Sequence, residues 1–240
     1  TYHDLRVPYL FPKAGPLRFR AVLAMVRGCD AAVVTNAEDQ AELLRHKSLP
    51  PVYQIPIGSN ISVAPPAGYD RAAWRMNLGL APDDLVLCYF GFLSPSKGGE
   101  TLVRALGLLN GAGKTSCHLL MVGGAVGDSD PTSQAYLGQV WTLIRQFGLE
   151  DRVHWTGFAA PEQVSAHLLA ADFAVLPYRE GANLRHGSLH AALAHGLPVV
   201  TTSRPDGGSA LAGGRDAILV PPGDPTALAG AVADLASDPE

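Results

Sequence analysis

The sequence predicts an α/β fold built on a doubly wound parallel sheet, and three observations carry that expectation. Short apolar runs alternate with amphipathic stretches over residues 28–235, the pattern of strands and helices taking turns along a chain. Several of these runs, such as residues 119–122 and 174–176, are apolar throughout, as strands are when helices cover both faces of their sheet. The 240 residues are 47% hydrophobic and 17% charged, which supplies the core of one large domain or two smaller ones.

In order, residues 31–35 read as a strand, 37–44 as the helix after it, and 52–57 as the next strand. Turn formers then replace periodic sequence from Ile57 to Gly68 and mark a boundary. Beyond it, the strand at 85–90 leads to a helix at 101–109, 118–122 to 134–147, and 153–155 to 161–170. The strand at 173–177 precedes a helix at 188–194, 198–202 precedes a short loop segment, and 217–220 precedes a helix at 225–235. Residues 61–240 therefore suffice for a complete doubly wound domain. Residues 1–60 carry too few elements to close a core, and read as the C-terminal part of a first domain. The chain opens at Thr1 without a methionine, so an upstream segment is expected.

Net charge is −4 at pH 7, and the 18 basic residues are scattered, which leaves no electrostatic footprint for nucleic acid. Cys29, Cys88 and Cys117 are odd in number and widely spaced, suiting buried reduced thiols in a cytoplasmic protein better than disulfides or a zinc site. No apolar run approaches the roughly 20 residues that a membrane-spanning helix needs.

Chemistry concentrates in a few segments. Gly91-Phe92-Leu93-Ser94-Pro95-Ser96-Lys97-Gly98 joins a strand to a helix. A glycine turn with a lysine at a helix start reads either as a grip for phosphate, because exposed N–H groups and an ammonium both favour an anion, or as an ordinary βα connection with a surface lysine. A second polar loop, residues 177–188, follows a buried strand and contains Glu180, Asn183, Arg185, His186, Gly187 and Ser188. Ser188 is the expected N-cap of the helix after it. Both loops leave the sheet at the carboxyl ends of its strands, where ligands bind in such folds, and two anion-suited loops on one rim suit a diphosphate. His3 and Asp4 stand together near the start of the chain, a pairing suited to hydrogen bonding or proton transfer. Asp206-Gly207-Gly208 forms a further loop after a strand.

Six segments in order give a resemblance: Ile55-Pro56-Ile57-Gly58, the Gly91 to Gly98 turn, Leu120-Met121-Val122-Gly123-Gly124, residues 153–157, residues 171–177, and Ala194-His195-Gly196-Leu197-Pro198-Val199-Val200. Together they are similar to the C-terminal half of GT-B glycosyltransferases, most closely the retaining family four or "glycosyl transferases group 1" type. The resemblance implies two Rossmann-like domains facing across a cleft, with residues 61–240 as the nucleotide-sugar donor domain and 1–60 as the end of the acceptor-side domain. It implies a hexosyl-type transferase that moves a sugar from a nucleoside diphosphate donor to a hydroxyl acceptor with retention of configuration. No metal and no cofactor beyond the donor itself is implied. The acceptor, whether glycan, lipid or small molecule, is unspecified. An amphipathic helix in an upstream segment would attach such a protein to the cytoplasmic membrane face.

By the same resemblance, Lys97 matches the lysine that contacts the donor diphosphate, and Gly91 opens its turn. The segment at Gly157-Phe158 matches the region cupping the base, and His3 matches a histidine near the transferred sugar. Asn183, Arg185, Gly187 and Ser188 complete the expected donor contacts, with His3 and Glu180 as candidate catalytic residues. Two departures stand out. Phe92 occupies the position after the turn glycine where the family usually has arginine, so Arg185 is the expected replacement cation. The family's pair of glutamates around the Gly181 loop is also absent: one alignment puts Asn183 and Ala191 there, another Glu180 and Ser188. These departures leave open a non-catalytic nucleotide-sugar-binding relative, and a sugar-nucleotide epimerase is the third alternative.

Overall fold

Leucine- and valine-rich runs form the interior of the structure, a computed structural model that describes residues 15–113, 116–124, 131–207 and 211–237. The chain divides after Gly58 into two compact units, Thr1–Gly58 and Ser59–Glu240. In the first, helix α1 (Gly15–Arg27) leads to strand β1 (Ala32–Val34), helix α2 (Ala37–Leu44) and strand β2 (Val52–Gln54). The two strands pair in parallel, with Ala32 opposite Val52. Asn36 starts α2 because its side-chain oxygen accepts the Asp39 N–H at 2.9 Å, satisfying one of the donors that a helix start leaves unpaired. Leu23, Val26, Ala32, Val34 and Leu43 form this unit's core.

The second unit opens with helix α3 (Arg71–Asn77), capped by Asp70, whose carboxylate accepts the Ala73 N–H at 2.8 Å. Its six strands are β3 (Leu85–Phe90), β4 (Cys117–Val122), β5 (Val153–Trp155), β6 (Phe173–Leu176), β7 (Val199–Thr202) and β8 (Ile218–Val220). The helices between and after them are α4 (Gly99–Gly111), α5 (Pro131–Gln146), α6 (Pro161–Ala170), α7 (Gly187–Ala194) and α8 (Pro225–Ser237). All neighbouring strands are parallel, in the order β5-β4-β3-β6-β7-β8. The order reverses between β3 and β6, and at such a switch point the loops diverge to opposite faces and leave a crevice beyond the strands' carboxyl ends. Val86, Leu87, Leu119, Leu120 and Val175 are at most 1% exposed in the middle of this sheet. Each buried side chain of this size contributes roughly 1.5–3 kcal/mol, so the apolar runs stabilise the scaffold on which the crevice stands.

A carboxylate ties α3 to the sheet. Asp172 accepts from the Val86 N–H at 2.8 Å, from Arg71 Nη2 at 2.5 Å and from the buried Arg75 at 3.2 Å. Cys88 and Cys117 are buried, and burial pushes both thiols up to about 12. Cys29, expected to be buried with them, is exposed just beyond the end of α1.

A polar network closes the opposite, amino-terminal edge of the sheet. His118 on β4 and His154 on β5 are hydrogen-bonded at 2.8 Å between Nδ1 and Nε2. Arg152 Nη1 stands 2.7 Å from His118 Nε2. Arginine only donates, so His118 Nε2 accepts, its Nδ1–H donates to His154 Nε2, and both rings are held neutral. The Asp84 carboxylate 3.4 Å from His118 Nε2 is then a through-space neighbour with no proton between the two atoms. Desolvation lowers both histidines below the ordinary 6.5, against the opposing pull of Asp84. Desolvation lowers His167 as well, whose Nδ1 accepts from Trp74 Nε1 at 3.1 Å.

The unfolded chain therefore binds more protons than the folded one as pH falls below 6.5, and stability rises with pH across that window. Urea unfolding is expected to show lower stability at pH 5.5 than at 7.5, with the difference reduced in the double substitution His118→Gln and His154→Gln. An unchanged pH difference in that variant would contradict the neutral pair.

Candidate active site

The site is built from two loops at the carboxyl ends of β3 and β6. After β3, Gly91 turns the chain, residues Pro95–Lys97 form a single 3-10 turn, and Gly98 passes into α4 in the left-handed region at φ 71°. A Cβ at Gly98 would stand 1.9 Å from the Pro177 carbonyl oxygen, so only glycine lets the two loops approach this closely. The Arg179 N–H donates to the Ser96 carbonyl at 2.9 Å and fastens the same contact. Sequence thus fixes the spacing between the turn carrying Lys97 and the loop leading to α7.

Lys97 is half-buried with its Nζ 4.8 Å from the centroid of the Tyr178 ring, and desolvation lowers its pKa from 10.5. Tyr178 is 2% exposed, its ring stacks on His186 with centroids 3.7 Å apart, and its hydroxyl lies 2.7 Å from Ser188 Oγ. Ser188 is consequently not the N-cap expected from the sequence. His186 holds that position and makes no side-chain cap bond, and Ser188 stands inside the helix with its hydroxyl on the tyrosine. The N–H groups of Gly187 and Ser188 belong to the first turn of α7, where the helix supplies no acceptor.

Glycines at the ends of β3, β4 and β5 leave the crevice floor as bare backbone. Gly123 bridges to Gly157, and its N–H donates to the Thr156 hydroxyl oxygen at 3.2 Å. A Cβ on Gly124 would lie 3.1 Å from the Phe92 ring, so Phe92 rests over this floor while staying 59% exposed. Phe158 is 89% exposed at the rim.

These groups enclose a cleft of about 510 Å³, whose lining includes Gly91, Phe92, Lys97, Phe158, Gly187 and Ser188. Lys97 is the charged side chain among the described residues of that lining, which holds no carboxylate. Of the residues singled out from sequence, Gly91, Lys97, Phe158, Gly187 and Ser188 come together here. Glu180 is exposed on the loop after β6, and Asn183 and Arg185 are half-buried on it, outside the lining. Asn183 Oδ1 accepts the Arg185 N–H at 2.9 Å, which shapes the loop itself. His3 lies outside the described residues. Tyr178 was not singled out from sequence, although the Pro177-Tyr178 step after a wholly apolar strand was a visible signal. Among the described residues no group of three or more histidines, cysteines or acids converges as a metal site, and no helix is long and apolar enough to cross a membrane.

Residues 84–238 match the family described as "Glycosyl transferases group 1". The chain belongs to that family. Its relatives include the D-inositol 3-phosphate glycosyltransferases of Streptomyces scabiei, 30% identical over 90% of this chain and 48% of that protein, and of Corynebacterium efficiens, 30% identical over 90% and 50%. This group 1 chain therefore spans about half the length of the curated relatives it matches. Among solved structures it resembles the sucrose-phosphate synthase of Thermosynechococcus elongatus, with TM-score 0.73 and 26% identity over 99% of this chain and 58% of that one. It also resembles Anabaena HepE in complex with UDP and glucose, with TM-score 0.78 and 23% identity over 99% and 61%. The fold is accordingly that of GT-B glycosyltransferases, with the second unit as a Rossmann-like domain.

Proposed function

We propose that the second unit binds the nucleoside diphosphate sugar of a retaining, metal-independent glycosyltransferase, and that the first unit is the end of its acceptor-side domain. The observation that carries this reading is the meeting of Lys97 with the first turn of α7 in one cleft at the sheet's switch point. A lysine and unpaired N–H groups aimed at one place stabilise a departing diphosphate without reorganising as its charge develops. The base lies toward Phe158 and the sugar toward α7. The acceptor hydroxyl bonds to the anomeric carbon from the face the diphosphate leaves. The bond to the diphosphate breaks, and the hydroxyl proton passes to the leaving phosphate oxygen. Glu180, Asn183 and Arg185 contribute from the loop ahead of α7. Buried free thiols at Cys88 and Cys117 suit a cytoplasmic setting.

A second reading, donor binding without transfer, is favoured by one observation. The positions where the family's glutamates are expected hold Asn183 outside the lining and Ala191 buried in α7 by one alignment, or Glu180 outside the lining and Ser188 within it by the other, so neither restores the pair. Among the described residues the lining likewise holds no pair of carboxylates to serve an epimerase as acid and base. Calorimetric titration of the intact protein with UDP, ADP and GDP, then mass spectrometry of mixtures with UDP-glucose and D-inositol 3-phosphate, tests both readings. The relatives' names make that acceptor the first to try. Binding with a hexose added to the acceptor is the expected result. Binding without any transferred hexose selects the second reading, and no binding of any nucleoside diphosphate overturns both.

A further inference from the structure

The anion site has two halves, a lysine on one loop and a helix start on another, and one buried side chain touches both. The Tyr178 ring lies under the Lys97 ammonium, 4.8 Å from centroid to Nζ, while its hydroxyl meets Ser188 Oγ at 2.7 Å in the first turn of α7. Lysine has four rotatable side-chain bonds and, without a partner, samples many directions. An electron-rich ring face attracts the cation without neutralising it, unlike a carboxylate, which would compete with a phosphate. No ion pair holds Lys97 among the described residues. Tyr178 itself is immobilised by the stack on His186 and by burial, so it is a fixed reference for both halves.

We propose that Tyr178 is a positioning residue for donor binding: its ring holds the Lys97 ammonium charged and aimed into the cleft, and its hydroxyl aligns the start of α7 with it. The inference rests on the donor-site reading above and adds the device that sets its geometry. Two substitutions separate the two roles. Tyr178→Phe keeps the ring and loses the hydroxyl, whereas Tyr178→Leu loses both, so their ratio isolates the ring.

UDP is titrated into the intact protein with each substitution, alone and together with Lys97→Met. With Lys97 present, Tyr178→Leu is expected to bind UDP about 3- to 30-fold more weakly than Tyr178→Phe. With Lys97→Met, that ratio is expected to fall close to unity, since the ring acts through the lysine. The same ratio in both backgrounds would mean that the ring only fills space, and would overturn the proposal. A ligand-free measurement decides the case where Lys97→Met binds too weakly to titrate: acetylation of Lys97 by acetic anhydride, followed by peptide mapping. Its rate relative to the other lysines is expected to rise in Tyr178→Leu and to stay unchanged in Tyr178→Phe; equal rates in the two overturn the proposal. Failure of the wild-type protein to bind UDP, with Lys97 acetylation still controlled by Tyr178, would instead count against the donor-site reading alone.

Discussion

Lys97→Met is expected to weaken UDP binding by about 10- to 150-fold, the loss of one charge-assisted contact worth about 1.5–3 kcal/mol. The effect is large because of where the lysine stands. Phe92 occupies the neighbouring position where a second cation is expected, and among the described residues of the lining no other charged side chain faces the cleft. Lys97 is also half-buried, and desolvation lowers its pKa, so its charge is less screened by water than that of a surface lysine. A bound phosphate would reverse that shift by favouring the protonated amine. If the diphosphate leaves during transfer, the same contact strengthens as charge accumulates on the leaving oxygen, and the substitution lowers kcat as well as affinity. Arg185→Ala provides the comparison, since Arg185 lies outside the lining and a smaller loss is expected. Calorimetric titrations of the two variants at the same salt concentration give the answer. Equal losses would support Arg185 as the replacement cation, and an unchanged affinity in Lys97→Met would remove the phosphate grip altogether.

The fold was legible where burial dominates sequence. Residues such as Leu119 and Leu120 are apolar on both sides of the strand because helices cover both faces of the sheet, and the strands were found close to their observed bounds. Two helices escaped notice. In α1, Phe19, Val22, Leu23 and Val26 follow helical spacing and pack in the first unit's core, but glycine and proline at its start disguised the period. In α3, the fixed points are Asp70 as cap and the Arg71 and Arg75 pairs with Asp172, and long-range ion pairs of this kind leave no local pattern. The site was legible as far as it follows from topology. The Lys97 turn and the Gly187 helix start must meet because β3 and β6 are neighbours. Side-chain engagement was not legible. Ser188 reads as a cap until the helix is seen to start at Gly187, with the Ser188 hydroxyl on Tyr178.

Gly98→Ala is expected to destabilise the protein by about 3–5 kcal/mol. Two costs add at this position. A left-handed backbone at φ 71° strains any residue with a Cβ, by about 1 kcal/mol for alanine. The new methyl would also stand 1.9 Å from the Pro177 carbonyl oxygen, far inside contact distance, and that oxygen is backbone with no rotamer to escape into. Gly196→Ala separates the two costs, because Gly196 has φ 69° with nothing within 4 Å of the added carbon and is expected to lose only about 1 kcal/mol. Urea unfolding of both variants at neutral pH measures the difference. The clash has a functional reading too. The loops can separate only by giving up the Arg179 to Ser96 hydrogen bond, which carries Lys97 away from Tyr178 and from the start of α7, so any Gly98→Ala protein that still folds is expected to bind UDP poorly. If Gly98→Ala and Gly196→Ala proved equally stable, the two loops would not pack as described, and the shared cleft that supports the donor site would lose its foundation.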